Sequence, residues 1–91
     1  MRRGEIYYAD LSPSIGSEIN KRQPVLIISN NANNNAATTL TILPIALNVE
    51  RVYPFEVALT KKDSGLPKSS KVQAQQIRTI SKQRIKGKAL G

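Results

Sequence analysis

Short apolar runs recur along this chain, either continuous or alternating with polar residues, and most are rich in β-branched or aromatic side chains. Runs of this kind are typical of β-strands, and segments rich in Gly, Pro, Asn or Ser separate them. The pattern predicts strands at residues 5–11, 24–29, 38–45, 53–59, 70–76 and 78–81. No run of helical period is long enough for an amphipathic helix, so we expect a mainly β chain with at most single helical turns.

Several short strands in a chain of 91 residues predict one small domain over residues 1–91, with its sheet curled into a barrel. Closure removes exposed strand edges, which favours this solution for a small core. Pro44 and Pro54 cannot donate to a ladder, so we expect them at strand ends or edges. The Asn-rich segment 30–35 is predicted to be a turn region, with a short helical turn as the alternative, and the segment 63–67 is predicted to be a loop.

The charge is strongly basic, since 14 Lys and Arg residues face 6 Asp and Glu residues and give a formal net charge of +8. The excess lies mainly in the second half, because nine basic residues and the one acid Asp63 follow from Lys61 onward. Such a distribution attracts a nucleic acid or an acidic protein. The alternative is a solvated surface that only helps solubility.

The absence of Cys and His removes several classes of chemistry. Zinc sites of the usual kind and disulfides are excluded, and the commonest general acid–base group is missing. We therefore expect no metal and no cofactor. The apolar runs are too short to span a bilayer and the first residues lack a signal-peptide pattern, so we expect a cytoplasmic protein without membrane contact.

Polar residues that could form a site lie in three segments, 12–23, 46–52 and 73–78. Arg22, beside Lys21, directly precedes an apolar strand and is placed to hold a phosphate with its forked donors. A solvated loop charge is the alternative for Arg22. Glu18 is either a proton acceptor or a surface ion-pair partner of Lys21 or Arg22. RNA cleavage by this set needs no metal, because the ribose 2′-hydroxyl can attack its own phosphate.

The order and spacing of several motifs resemble the MazF/PemK toxins, and the motifs are RGEIYYADLSP, GSE, QPVLIIS, LPI, VERVYPFEVAL, SGL and QIRTISKQRI. The resemblance covers most of the chain. It implies the small SH3-like barrel of the CcdB/PemK/MazF toxins and a homodimer. It also implies a sequence-specific, metal-independent endoribonuclease that cuts single-stranded mRNA by 2′-hydroxyl attack, and an acidic antitoxin partner.

The resemblance also assigns site residues, and three of them depart from the family pattern. Gln23 stands where the family has Arg, Ala46 where it has Thr or Ser, and Gln75 where many members have an acid. Arg22 is the nearest guanidinium, although neighbouring residues of a strand point to opposite sides. The catalytic positions are therefore Arg22, Gln23, Ala46 and Gln75. The RNA-binding candidates are Ser17, Glu18, Lys21, Gln76 and Arg78.

These departures leave other hypotheses open. The chain could be a degenerate homologue that binds antitoxin or RNA without cleavage, because a cation, a hydroxyl and a carboxylate have been replaced. A gyrase poison similar to CcdB, which shares the barrel, is a third possibility. The family fold generally ends with a helix, which we expect to be absent or truncated here, since the sequence stops soon after the last predicted strand.

Overall fold

The structure, a computed structural model, describes residues 1–11, 22–47, 52–54 and 56–90. Its strands are β1 (Ile6–Asp10), β2 (Arg22–Ile27), β3 (Thr39–Ala46), β4 (Glu56–Leu59), β5 (Ser70–Gln73), β6 (Arg78–Ser81) and β7 (Ile85–Lys86). Helix α1 (Asn31–Ala36) precedes β3, and helix α2 (Lys61–Ser64) precedes β5. Two 3₁₀ turns, Ala74–Gln76 and Lys82–Arg84, flank β6.

The strands form one antiparallel sheet in the order β4-β5-β3-β2-β1-β7, and β6 also pairs with β3. The long strand β3 is its centre. One side of β3 pairs with β2, while the other side pairs first with β6, through Thr39 to Ile42, and then with β5, through Ile45 and Ala46. The mainly β class expected from the sequence is confirmed.

Closure of the sheet into a barrel is not seen among the described residues. The outermost strands of the sheet, β4 and β7, share no ladder there, so the sheet remains open. In the described residues that follow β7, up to Leu90, no helix forms. The backbone N–H of Leu90 instead donates to the carbonyl of Ile6 at 2.7 Å.

Helix α1 lies where we expected a turn with a short helical turn as the alternative, and α2 overlaps the predicted loop 63–67 only at its end. Side-chain caps explain both helices. Asn30 precedes α1 and its side chain accepts a 2.8 Å hydrogen bond from the backbone N–H of Asn33. Asparagine is a poor residue inside a helix but one of the best caps, so this Asn-rich segment forms a short helix. Thr60 caps α2 in the same way, and Gly65 ends it with a left-handed φ of 71°.

Both faces of the sheet carry apolar side chains. The first face buries the cluster Tyr7, Ala9, Val25, Ile27, Leu40, Ile42 and Ile80. The second face buries Ile6, Ile45, Leu66 and Val72. The alternation along each strand produces this division, because successive side chains point to opposite faces. The functional candidates lie at one end of the first face.

Candidate functional site

A cavity of about 360 Å³ lies at the end of the first face. Its lining combines two guanidinium groups, three carboxamides and two apolar side chains, namely Arg22, Arg78, Gln23, Gln73, Gln76, Leu11 and Pro44. Residues from β2, β3, β5 and β6 therefore meet here, although they are far apart in the sequence. The cavity brings together four of the predicted site residues: Arg22, Gln23, Gln76 and Arg78.

The cavity exists because β3 has a gap in its pairing between the ladder with β6 and the ladder with β5. On the β2 side of β3, the carbonyl of Thr41 accepts a 3.0 Å hydrogen bond from the backbone N–H of Ile28. On the same side, the carbonyl of Ile45 accepts a 3.3 Å hydrogen bond from the side chain of Gln23. Since backbone groups alternate along a strand, Pro44 faces β5 and β6. It has no N–H to donate there, and neither ladder includes it.

Pro44 therefore lies inside a central strand, which corrects the expectation of a strand end or edge. The strand tolerates it because the ladder with β6 stops at Ile42 and the ladder with β5 starts at Ile45. Opposite this gap the chain forms the 3₁₀ turn Ala74–Gln76, where we expected the strand to continue. The gap and the turn together make room for the cavity.

Arg22 and Gln23 both border the cavity, although neighbouring strand residues were expected on opposite sides. Arg22 is the first residue of β2, and its long exposed side chain reaches the cavity around the end of the strand. Gln23 is on the first face, since it alternates with Val25 and Ile27. Its Nε2 donates to the carbonyl of Ile45 at 3.3 Å.

Two predicted catalytic positions do not line the cavity. Ala46 lies opposite Lys71 in the β3–β5 ladder, and its methyl group has no hydrogen-bonding capacity. Gln75 instead lies near Glu56, and its side chain helps to lower the pKa of that carboxyl group. Three predicted RNA-binding residues, Ser17, Glu18 and Lys21, lie outside the described residues.

A buried ion pair, which the sequence analysis missed, lies beside the cavity. Glu56 Oε1 is 3.1 Å from Lys71 Nζ, and the two side chains are 2% and 12% exposed. The same carboxylate oxygen accepts a 3.0 Å hydrogen bond from the backbone N–H of Tyr53, and Lys71 Nζ lies 5.7 Å from the centre of the Tyr53 ring. Glu56 is also the ladder partner of Gln73, which lines the cavity.

This arrangement supports the cavity wall rather than the chemistry. The pKa of Glu56 is lowered, first by the backbone hydrogen bond from Tyr53 and then by Lys71 and Gln75, against desolvation, which raises it. A carboxylate with these donors is a poor proton acceptor. The carboxylate instead holds Lys71 and the backbone of Tyr53 next to Gln73, its ladder partner in the cavity wall. The visible signal was Glu56 itself, an acid within an apolar strand.

We expect the Glu56→Gln variant to change how stability depends on pH. The folded-state pKa lies below the ordinary value of 4.5, so the carboxylate stabilises the folded state fully above that value. This contribution is lost as the pH falls through the lowered folded pKa. Urea-unfolding midpoints of the variant should therefore fall less than those of the wild type between neutral and acidic pH. Parallel curves for the two proteins would contradict this assignment.

No group of three or more His, Cys, Asp or Glu side chains that could hold a metal ion is found among the described residues. Among the same residues, no helix has the length and apolar character needed to cross a membrane.

Comparison with known proteins agrees with the motifs. Residues 2–91 match the family described as PemK-like, MazF-like toxin of type II toxin–antitoxin system. The chain belongs to the PemK/MazF toxin family. It is 43% identical over 90 residues to Endoribonuclease MazF9 of Mycobacterium tuberculosis (strain ATCC 25618 / H37Rv), an alignment covering 93% of this chain and 76% of that protein.

Two further members of the PemK/MazF family are similar. Endoribonuclease EndoA of Bacillus subtilis (strain 168) is 37% identical over 89 residues, covering 97% of this chain and 77% of that protein. The solved structure of an endoribonuclease in complex with its cognate antitoxin, from Mycobacterial species, superposes with a TM-score of 0.77. That structure is 28% identical, and the match covers 100% of this chain and 77% of that one.

Proposed function

We propose that this toxin-family protein is a sequence-specific endoribonuclease that cuts single-stranded mRNA without a metal ion. The observation that carries the proposal is the pair of guanidinium groups, Arg22 and Arg78, on the border of one cavity. Guanidinium forks bind phosphate oxygens in pairs, and a concave site concentrates their field. Two relatives are named as endoribonucleases, which supports the same activity here.

The reaction is an in-line attack by the ribose 2′-oxygen on the adjacent phosphorus, with departure of the 5′-oxygen of the next nucleotide. Water takes the proton of the 2′-hydroxyl, and the departing 5′-oxygen takes a proton from water. The reaction leaves a 2′,3′-cyclic phosphate and a free 5′-hydroxyl. Charge builds on the phosphate oxygens in the transition state, where Arg22 and Arg78 stabilise it. Among the described residues the cavity lining contains no carboxylate, so the role proposed for Arg22 and Arg78 is alignment and charge rather than that of a base.

The proposed partners follow from the same features. A net charge of +8 supports binding both to RNA and to an acidic antitoxin, and a relative has been solved with its cognate antitoxin. The proposed form is a homodimer in the cytoplasm, as the resemblance to the family implies. Both polyanions are attracted by the same charge, so antitoxin binding and RNA binding should compete.

The decisive experiment incubates the purified protein with a long single-stranded RNA in excess EDTA and maps the new ends. We expect cuts at one short recurrent sequence, with cyclic phosphate on one side and 5′-hydroxyl on the other. Cleavage that disappears in EDTA and returns with added magnesium would contradict metal independence. An RNA that stays intact under all conditions would contradict catalysis.

Binding without cleavage is a second candidate, and Gln23 and Ala46 favour it. A neutral carboxamide lines the cavity where family members place a guanidinium, and a methyl group replaces a hydroxyl. Losing one such group typically costs a hundredfold or more in rate. RNA that binds tightly in the same assay and remains uncut would support this second function over the first.

A further inference from the structure

The cavity is larger and chemically richer than a phosphate requires. Two guanidinium groups suffice for the anion, yet the lining adds carboxamides from Gln23, Gln73 and Gln76. A volume of about 360 Å³ lies within the range of about 300–1,000 Å³ seen for small-molecule sites. The uncharged part of the lining therefore calls for a second, neutral portion of the ligand.

Gln23 has a defined orientation in this lining. Its side chain donates to the carbonyl oxygen of Ile45, which can only accept, so the amide nitrogen must be the end that faces Ile45. Oε1 is then left as an acceptor beside the remaining N–H of the same amide. Among the described residues, no other hydrogen bond to Gln23 side-chain atoms is found.

A donor next to an acceptor is the pattern that a nucleobase edge presents. Asn and Gln pair with adenine in particular, because one amide contacts both its N6 amino group and its N7 atom. Single-stranded RNA exposes such edges, since its bases can be unstacked and turned outward. Leu11 and Pro44 add apolar surface against which the flat ring can pack.

We propose that the cavity binds one unpaired adenine of single-stranded RNA, read by Gln23, Gln73 and Gln76, while Arg22 and Arg78 hold the neighbouring phosphate. The inference rests on the proposed RNA function and adds a base specificity to it. Gln23 thus reads a base at a position where the family pattern has a cation.

The test measures equilibrium binding of fluorescent seven-nucleotide RNAs whose 2′-hydroxyls are all replaced by fluorine, so that they cannot be cut by 2′-hydroxyl attack. The probes are oligouridylates in which the central base is uracil, adenine, cytosine or guanine, at one fixed salt concentration. We expect the adenine probe to bind about tenfold more tightly than all-uracil, as one good amide–base pair allows. Gln23→Leu, Gln73→Leu and Gln76→Leu should each reduce this preference, to about twofold or less.

Two controls separate base reading from other losses. Gln83→Leu changes an exposed glutamine on the turn Lys82–Arg84, outside the cavity, and should retain the full adenine preference. Arg22→Ala should weaken all four probes by a similar factor, because a phosphate contact does not depend on the base. Gln76 is exposed, so its variant tests the inference even where Gln23→Leu fails to fold.

The outcomes distinguish this inference from the function on which it rests. Equal binding of all four probes, or an adenine preference that survives all three Gln variants, overturns base reading and leaves RNA binding intact. A preference for another base overturns the adenine assignment. No binding of any probe, together with intact RNA in the cleavage assay, overturns the proposed function itself.

Discussion

Replacing Arg22 with alanine should lower the RNA-cleavage rate by about a hundredfold, the cost of removing one preorganised donor from a charged transition state. Arg22 is exposed at the start of β2 and lines the cavity, so its loss removes charge without disturbing the core. The rate is measured under single-turnover conditions with a fixed RNA and excess enzyme. This separates the chemical step from substrate binding.

Arg3→Ala is the matched control for that experiment. Arg3 is exposed and precedes β1, and the hydrogen bond found for it is made by its backbone N–H to Asn31. We expect its variant to cut RNA within about threefold of the wild type, since an isolated surface charge contributes little. If Arg3→Ala and Arg22→Ala lost the same fraction of the cleavage rate, both residues would act only by long-range attraction of RNA. Arg22 would then have no specific role in the site.

The Ile42→Ala variant should lose about 2–5 kcal/mol of unfolding free energy, as other large-to-small changes in cores do. Ile42 is fully buried in β3 at the point where that strand pairs with both β2 and β6. Its partner in β6 is Arg78, so the cavity left by alanine lies under a site residue. Urea unfolding followed by circular dichroism measures the loss.

Ile77→Ala provides the same chemical change at a neighbouring but exposed position. Ile77 is 58% exposed and directly precedes Arg78. Its replacement should change the unfolding free energy by no more than about 0.5 kcal/mol. A loss at Ile77 as large as that at Ile42 would show that this end of β6 packs against something the described contacts do not include.

The strands were predictable because their signal is local. Each of the six predicted strands is present. A strand that buries one of its two faces shows this in its own residues, because apolar and polar side chains then alternate along it. The two-residue strand β7 was missed, because two residues carry no period. The strand predicted over 53–59 is shorter in the structure, because β4 starts at Glu56. Glu56 is the first residue of β4 in the ladder with β5, and it forms the ion pair with Lys71.

The cavity was only partly predictable, because its geometry depends on residues that are distant in the sequence. Position within a motif identified Gln23, Gln76 and Arg78. Gln73 was included only as the start of the candidate segment 73–78, and Leu11 was not identified. The break between the β5 and β6 ladders is set by how β3 pairs on both sides, which no single segment encodes. The ion pair of Glu56 and Lys71 likewise forms only when β4 and β5 come together.

The side chain of Gln75 helps to lower the pKa of Glu56, and this influence restricts which sequences the fold can accept. An acid at position 75, which the resemblance to the family implies for many members, would place a second negative charge near a carboxylate that is almost fully buried. Substitutions at positions 56, 71 and 75 should therefore not be additive, because a change at one position alters the effect on stability of changes at the other two. Replacing Gln75 with an acid is therefore not a neutral change, because the new charge would be placed near the buried carboxylate of Glu56.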